Sequence, residues 1–382
     1  MKEINRPVTD LNTFVRLCER LNGEKYLAVD TEFTRTRTYL PKLELIQIAS
    51  AKLVFCVDVP CISDWSSLRE VVNSSGTAVV LHSADQDLEA LAQFDLLPLR
   101  ILDSQIAAQL CGAQKLSYKN IVEEYLGIEL AKDQTRSNWS KRPLSTEQIQ
   151  YALDDVRYIL PLFQVLHDQL QQMDRLSWLY EESARLLEQS DHGLTADNAW
   201  KSFSGGATLN FHDQQLAKQL LIWREKRAKL INRPRQWIMS DHQIADLVRN
   251  KPQSVQMTAH ILGKKRHRIP NWVSSVHAML SVETPNTHYP IWISWKSLNS
   301  DQKRQINELL VQINLFATEM ELPASLLCTR QEAVEAVCGE FSARMFSGWR
   351  WEIVGSMIES WLEANDFKRV NLPKPLAPEF PK

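Results

Sequence analysis

Apolar residues recur along this chain with two different periods, and the change comes near residue 200. Before it, short runs rich in Leu, Ile and Val occupy residues 26–29, 43–49, 53–59 and 78–82. Their length and β-branched content predict sheet strands. Only a few residues separate the second run from the third, which predicts an antiparallel hairpin. Helical spacing follows at residues 65–72, 87–94, 104–110 and 118–126. Strands that alternate with helices, with one hairpin among them, predict a mixed α/β domain rather than a purely parallel one. The polar stretch 190–209, with Gly193, Gly205 and Gly206, reads partly as a linker. Beyond it the pattern is almost entirely helical. Residues 282–300, with Pro285 and Pro290, mark a second joint, and residues 372–382 carry four prolines and no helical pattern.

One helix can be placed closely. Ser145-Thr-Glu-Gln148 fits a capping box, so a helix begins there. Ile149, Leu153, Val156, Leu160 and Phe163 then form its core stripe. At about 100° per residue, Tyr151 and Asp155 lie about 40° apart and roughly opposite that stripe. Asp154 lies further round. Pro161 falls inside the pattern and predicts a kink.

Composition narrows the function classes. A length of 382 residues predicts two or three domains. Hydrophobic content of 44% and charged content of 24% are those of an ordinary globular protein. The net charge of -2 does not by itself call for a nucleic-acid partner, so such a partner must be held by local patches. Six cysteines form no Cys-x-x-Cys pair, and Cys18, Cys56 and Cys111 sit in apolar segments. That pattern predicts reduced buried thiols and argues against a disulfide scaffold or a zinc site. The first residues lack an apolar signal core, and no apolar run approaches the ~18 residues of a membrane span. The expected location is the cytoplasm.

Chemistry enters with the acidic residues. Asp30 and Glu32 close the first strand run, and alternate strand residues point to one face, so both can serve one metal site while Thr31 faces away. Asp85 and Asp87 open a helix five residues or less after His82. Either can be a ligand, or only favour the helix N-terminus. Tyr151 and Asp155 share a helix face that could be merely solvated. Taken together, four carboxylates and a tyrosine within one α/β segment point to hard divalent cations and phosphodiester hydrolysis.

Three segments carry a resemblance. Asp-Thr-Glu-Phe-Thr-Arg-Thr-Arg-Thr-Tyr-Leu-Pro (30–41), His-Ser-Ala-Asp-Gln-Asp-Leu-Glu (82–89) and Tyr-Ala-Leu-Asp-Asp-Val (151–156) resemble the three exonuclease motifs of the DEDD superfamily, tyrosine subtype, and within it the ribonuclease D family. Leu45-Ile-Gln-Ile48, Ile101-Leu-Asp-Ser-Gln105 and the stretch 136–144 also match, with Asn138 where the family often has Asp. Leu220-Leu-Ile-Trp-Arg-Glu-Lys-Arg-Ala, Asn232-Arg-Pro and Ile238-Met-Ser-Asp resemble an HRDC domain, the helical module shared with RecQ helicases. Residues 300–365 resemble a second, degenerate copy, mainly through Phe346-Ser-Gly-Trp-Arg350.

The resemblance implies an RNase H-like 3′→5′ exonuclease domain with a mixed five-stranded sheet at 1–190, and two all-α HRDC domains at 210–290 and 298–368. It implies that Asp30, Glu32, Asp87 and Asp155 hold two divalent ions, Mg²⁺ or Mn²⁺, and that Tyr151 orients the attacking water. It selects Asp87 over Asp85 and Asp155 over Asp154. The implied partner is RNA, with tRNA precursors in 3′ maturation foremost, acted on by a monomer with no membrane role. A DNA exonuclease with the same site and a non-catalytic nucleic-acid-binding module are the alternatives.

Arg35 and Arg37 follow the first motif and are candidate substrate contacts, with His82 beside the second. Leu216, Leu220, Trp223 and Leu230 mark the core face of one helix, and from Trp223 to Arg235 inclusive there are six Lys or Arg residues and one acid, Glu225. Lys264, Lys265 and Arg266 form a second basic cluster. Such clusters attract phosphates without reading sequence. The tryptophans are expected in cores. Because the acidic set precedes residue 200, residues 1–190 are expected to carry the chemistry without the rest.

Overall fold

The computed structural model describes residues 2–131, 134, 137–191, 199–264, 269–282, 292–293, 295, 298–338 and 344–365. Gly193, Lys265, Arg266, most of the expected joint at 282–300 and the proline-rich end lie outside the described residues.

Six strands form one mixed sheet in the order β1-β4-β3-β2-β5-β6: β1 (Lys2–Glu3), β2 (Tyr26–Thr34), β3 (Lys42–Ala49), β4 (Leu53–Asp58), β5 (Ala78–Leu81) and β6 (Ile101–Asp103). The expected hairpin is β3–β4, and β2 pairs antiparallel with β3 and parallel with β5. The five-stranded expectation is short by one. The extra strand, β1, is two residues long and pairs parallel with β4 at the edge. Two residues carry no readable period.

Strand alternation divides the sheet into two faces. Leu27, Val29, Ile46, Ile48, Phe55 and Val57 join one apolar cluster with α1 (Leu11–Leu21), α2 (Ser66–Val72) and α3 (Asp85–Ala92). After α4 (Ser104–Leu110) and α5 (Tyr118–Leu126), the opposite face is covered by α6 (Thr146–Arg157), which packs on β2, β3 and β4. The predicted capping box is formed: Ser145 Oγ accepts from Gln148 N at 3.2 Å, and Gln148 Oε1 accepts from Ser145 N at 3.1 Å. The expected kink is a full break. α6 ends at Arg157 and α7 (Ile159–Gln172) begins two residues on, because Pro161 has no N–H to donate to the Arg157 carbonyl. α8 (Leu176–Asp191) follows.

The chain divides into two compact units whose boundaries differ from a simple succession of domains. One comprises residues 1–34, 41–193 and 305 onward; the other comprises Arg35–Leu40 and residues 194–304. In the second unit, α9 (Phe211–Leu230), α10 (Arg235–Ile238), α11 (Asp241–Asn250), α12 (Val255–Ile261) and α13 (Trp272–Leu280) surround a core that includes Leu216, Leu220, Met239, Leu247 and Val273. The polar stretch expected as a linker contributes to this core through Phe203 and half-buried Trp200. Gly206 abuts the Trp292 ring so closely that a β-carbon there would collide with it. Leu230, expected on the core face of α9, is 77% exposed, because it ends the helix beyond the packed region.

Helices α14 (Ser300–Glu319), α15 (Ala324–Leu327), α16 (Arg330–Val337) and α17 (Gly348–Ala364) follow. The described residues from 305 onward belong to the same compact unit as the catalytic motifs. The Phe346–Arg350 segment is their anchor. Trp349 stacks on Trp178 of α8 with ring centroids 4.6 Å apart. Its backbone N–H donates to Glu181 at 2.9 Å and its indole N–H to Glu182 at 2.9 Å, while fully buried Arg350 pairs with Glu182. Gly348 adopts φ 58°, and a β-carbon there would strike the Glu181 carboxylate. Both facts require glycine.

Candidate active site

β2 places Asp30 and Glu32 on the sheet face that α6 covers, and α6 brings Asp155 to them. The three offer carboxylate oxygens that all lie within 4.8 Å of one another. Just past Glu32 the β2–β3 register slips, Glu32 facing Leu45 and Phe33 facing Leu43. This bulge leaves Glu44 unpaired across the ladder. Its buried carboxylate accepts from Lys42, Thr34 and Ser140. Bulges of this kind re-aim strand ends beside active sites.

Asp87 is placed differently. It occupies the third position of α3, buried, and its Oδ1 accepts from the Thr31 hydroxyl at 2.5 Å. Thr31 does point to the opposite sheet face from Asp30, as alternation requires, but α3 lies under that face and brings Asp87 there. The fourth carboxylate thus adjoins the converged trio without belonging to it. What fixes α3 is Asp103 at the end of β6. Its buried carboxylate accepts from the backbone N–H groups of Ser83, Ala84, Gln105 and Ile106 at 2.8–3.2 Å, capping α4 and holding the turn into α3.

The electrostatics are those of a crowded anionic site. Asp30 is pushed well above the usual carboxylate range by burial and then by the charge of Asp155. Asp87 is pushed up by burial and then by Asp30, against the Thr31 hydrogen bonds that favour its ionised form. Hard oxygen donors gathered at this cost suit a divalent cation, which would relieve the repulsion. The alternatives within each motif separate clearly. Asp85 is exposed, whereas Asp87 is buried. Asp154 accepts from Gln150 and pairs with Arg157, turned from the trio, whereas Asp155 joins it.

Tyr151 lies one turn before Asp155, with its ring 6.2 Å from that of buried Trp139. Trp139 is held by the 136–144 stretch, in which Asn138 accepts from Ser140 N in a local turn and Arg142 makes a two-point pair with Asp58 at 2.7 Å. Tyr118 also reaches the site: its hydroxyl donates to the Asp154 carbonyl at 3.1 Å, and burial first, then Asp155 and Asp30, raise its pKa. A tyrosine in a weakly patterned helix start gives no sequence signal of that contact.

The candidate substrate contacts divide. Arg35 and Arg37 are exposed. His82 is tied into the fold. Its Nδ1 meets Ser104 Oγ at 3.0 Å and its Nε2 donates to the Leu116 carbonyl at 3.1 Å, so both ring nitrogens are spent on joining β5 to α4 and the following loop. Burial lowers its pKa. Lys264 is half-buried with its ammonium 5.5 Å from the Trp272 ring centre.

Comparisons with known proteins give the family and the fold. The family model for a 3′-5′ exonuclease matches residues 5–171, and that for an HRDC domain matches residues 213–270. Ribonuclease D of Zymomonas mobilis subsp. mobilis is 30% identical over 366 residues, covering 92% of this chain and 93% of the relative. Ribonuclease D of Xanthomonas oryzae pv. oryzae is 29% identical over 355 residues, covering 92% and 97%. The crystal structure of Escherichia coli RNase D, described as an exoribonuclease involved in structured RNA processing, superposes with a TM-score of 0.83 at 24% identity, over 95% of this chain and 99% of that one. No helix among the described residues is long and apolar enough to cross a membrane. Matched at 30% identity over nearly its whole length, the chain belongs to the ribonuclease D family of 3′→5′ exoribonucleases.

Proposed function

We propose that this chain trims the 3′ ends of tRNA precursors, acting as a monomer with two divalent ions, Mg²⁺ or Mn²⁺, at Asp30, Glu32, Asp87 and Asp155. The observation that carries the reading is the convergence of three carboxylates from β2 and α6 within 4.8 Å, with Tyr151 one turn from Asp155. When bound, such ions neutralise phosphate charge and make water a stronger nucleophile. The chain's own residues do the rest. Asp30, Glu32 and Asp155, whose oxygens converge within 4.8 Å, would hold the ions. Asp87, held by the Thr31 hydroxyl and close enough to Asp30 to feel its charge, would supply the fourth carboxylate. The Tyr151 hydroxyl orients the attacking water by hydrogen bonding, and Trp139 backs its ring. In that role the phenol orients the water and need not take its proton.

The second unit supplies the RNA contact. The Arg35–Leu40 loop, which leaves the catalytic strand, belongs to that unit. Tyr39 donates to buried Glu225, Arg235 pairs with Glu225 at 2.6 Å, and Asn232 Oδ1 accepts from Tyr39 N at 2.9 Å. Arg233 donates to the Arg37 carbonyl at 3.3 Å, and its guanidinium lies 6.0 Å from the ring centre of Trp237, which is 55% exposed. Exposed Lys229, Leu230 and Ile231 adjoin in sequence. Basic groups around an exposed aromatic suit single-stranded RNA, in which bases stack and phosphates need cations. This patch takes the place of the expected tryptophan-in-core rule at one position.

The test is a direct competition. A tRNA precursor with a 3′ extension and a single-stranded DNA of the same extension are offered together in Mg²⁺. Loss of the RNA extension with the DNA spared supports the reading. Equal trimming of both would replace it with a DNA exonuclease.

A further inference from the structure

Gln47 lies in the middle of β3, fully buried, and neither its Oε1 nor its Nε2 has a hydrogen-bond partner among the described residues. An amide so placed is costly, since each unpaired buried polar atom forfeits its hydration. Its position is specific. Gln47 is the cross-strand partner of Asp30, with Cys56 of β4 on its other side. Directly opposed residues of an antiparallel pair share a face, with β-carbons about 4.5–5.5 Å apart. The amide therefore occupies the sheet face beneath α6 that carries Asp30 and Glu32, against which Asp155 converges. Cys56 offers no competing charge there: burial pushes its thiol up to about 12.

We propose that Gln47 is a positioning residue for the metal site: its Nε2 donates to the Asp30 carboxylate and fixes that group as a ligand when a divalent ion binds. The reading of the acidic cluster as a metal site is its premise. Chemistry favours an amide in this role. A lysine or arginine there would also donate, but its positive charge would oppose a divalent ion. A leucine would pack but could not hold a carboxylate in one rotamer. A neutral donor orients Asp30 and leaves the site's negative charge intact for the ion. Outer groups of this kind commonly contribute about 10–100-fold to metal affinity or activity.

The test uses the full chain with Gln47→Leu and Gln47→Met, which keep the volume and remove both polar atoms. Mg²⁺ binding is measured by calorimetry, and melting is followed with and without Mg²⁺. The expected result is a melting temperature in EDTA equal to or above that of the unsubstituted protein, because an unpaired amide has gone. Mg²⁺ affinity should fall at least about 10-fold, and the rise in melting temperature on adding Mg²⁺ should shrink. In turnover, kcat at fixed Mg²⁺ should fall and recover with excess Mg²⁺, at unchanged KM for RNA. Unchanged Mg²⁺ affinity in both variants overturns the proposal. So does unfolding of both in EDTA, which would make the amide a structural partner instead. If the unsubstituted protein itself bound no Mg²⁺, the metal-site reading would fail first, and visibly so.

Discussion

Replacing Asp30 with Asn should stabilise the protein in the absence of metal while abolishing its activity. The perturbation removes one charge from three carboxylates whose oxygens lie within 4.8 Å of one another, at almost constant volume. Two full charges at that separation repel by about 3.5 kcal/mol at an effective dielectric constant of 20. Burial and the charge of Asp155 both raise the Asp30 pKa, so its ionised form costs stability. A net gain of about 1–3 kcal/mol in EDTA at pH 8 is therefore expected for Asp30→Asn. The pH dependence follows from the same shift. A carboxyl whose folded pKa lies above its unfolded value binds more protons when folded, so the native protein loses stability as pH rises from the ordinary range near 3.8 through the raised value. The variant lacks this loss. Its advantage should be small near pH 4, grow as pH rises and level off once Asp30 is ionised. Urea unfolding in EDTA at several pH values measures it, with midpoint and slope reported separately. Added Mg²⁺ should reverse the order, stabilising the native sequence and hardly affecting the variant. An Asp30→Asn protein less stable than the native one in EDTA at pH 8 would refute the crowded-carboxylate argument.

Tyr151→Phe should lower kcat by about 10²-fold or more with little change in Mg²⁺ affinity, because it removes an orienting hydroxyl and no ligand; single-turnover kinetics check this. Arg350→Met should cost about 3–5 kcal/mol, since it leaves half-buried Glu182 without its cation and the Leu326 carbonyl without its donor at 2.6 Å; a urea melt that moved by less than 1 kcal/mol would remove this pair as the anchor of α17. Trp237→Ala combined with Lys229→Glu should raise KM for a 3′-extended tRNA at unchanged kcat and flatten its salt dependence, roughly one counterion per lost phosphate contact; filter binding across a salt series reads the slope.

Much of this site is legible in the sequence because its parts obey local periods. The strand alternation of Asp30 and Glu32, the Ser145 capping box and the four-residue spacing of Tyr151 and Asp155 each fix a direction without knowledge of the tertiary fold. What escapes is contact between segments far apart in the chain. Thr31 reads as facing away from the acids, and it does, but α3 lies on that side and makes Asp87 its partner. His82 reads as a substrate contact from its place beside the second motif, while Ser104 and Leu116 claim both its nitrogens. Residues 1–190 read as self-sufficient, yet Trp349 and Arg350 pack against α8, and Tyr39 is tied to Glu225 and Asn232. A chain ending near Ser190 would expose Trp178 and leave Glu182 unpaired, so such a fragment is expected to melt far below the full chain. Leu230 satisfies the helical period but lies past the packed part of α9, where periodicity alone cannot tell core from surface.

The measurement that bears most directly on the central claim is product analysis on two RNAs of one sequence, one linear with a free 3′ hydroxyl and one circular, each in Mg²⁺ and in EDTA. Nucleoside 5′-monophosphates should be released stepwise from the linear RNA in Mg²⁺, none from the circle, and none from either in EDTA. Cleavage of the circle at the rate of the linear RNA, or undiminished hydrolysis in EDTA, would contradict it.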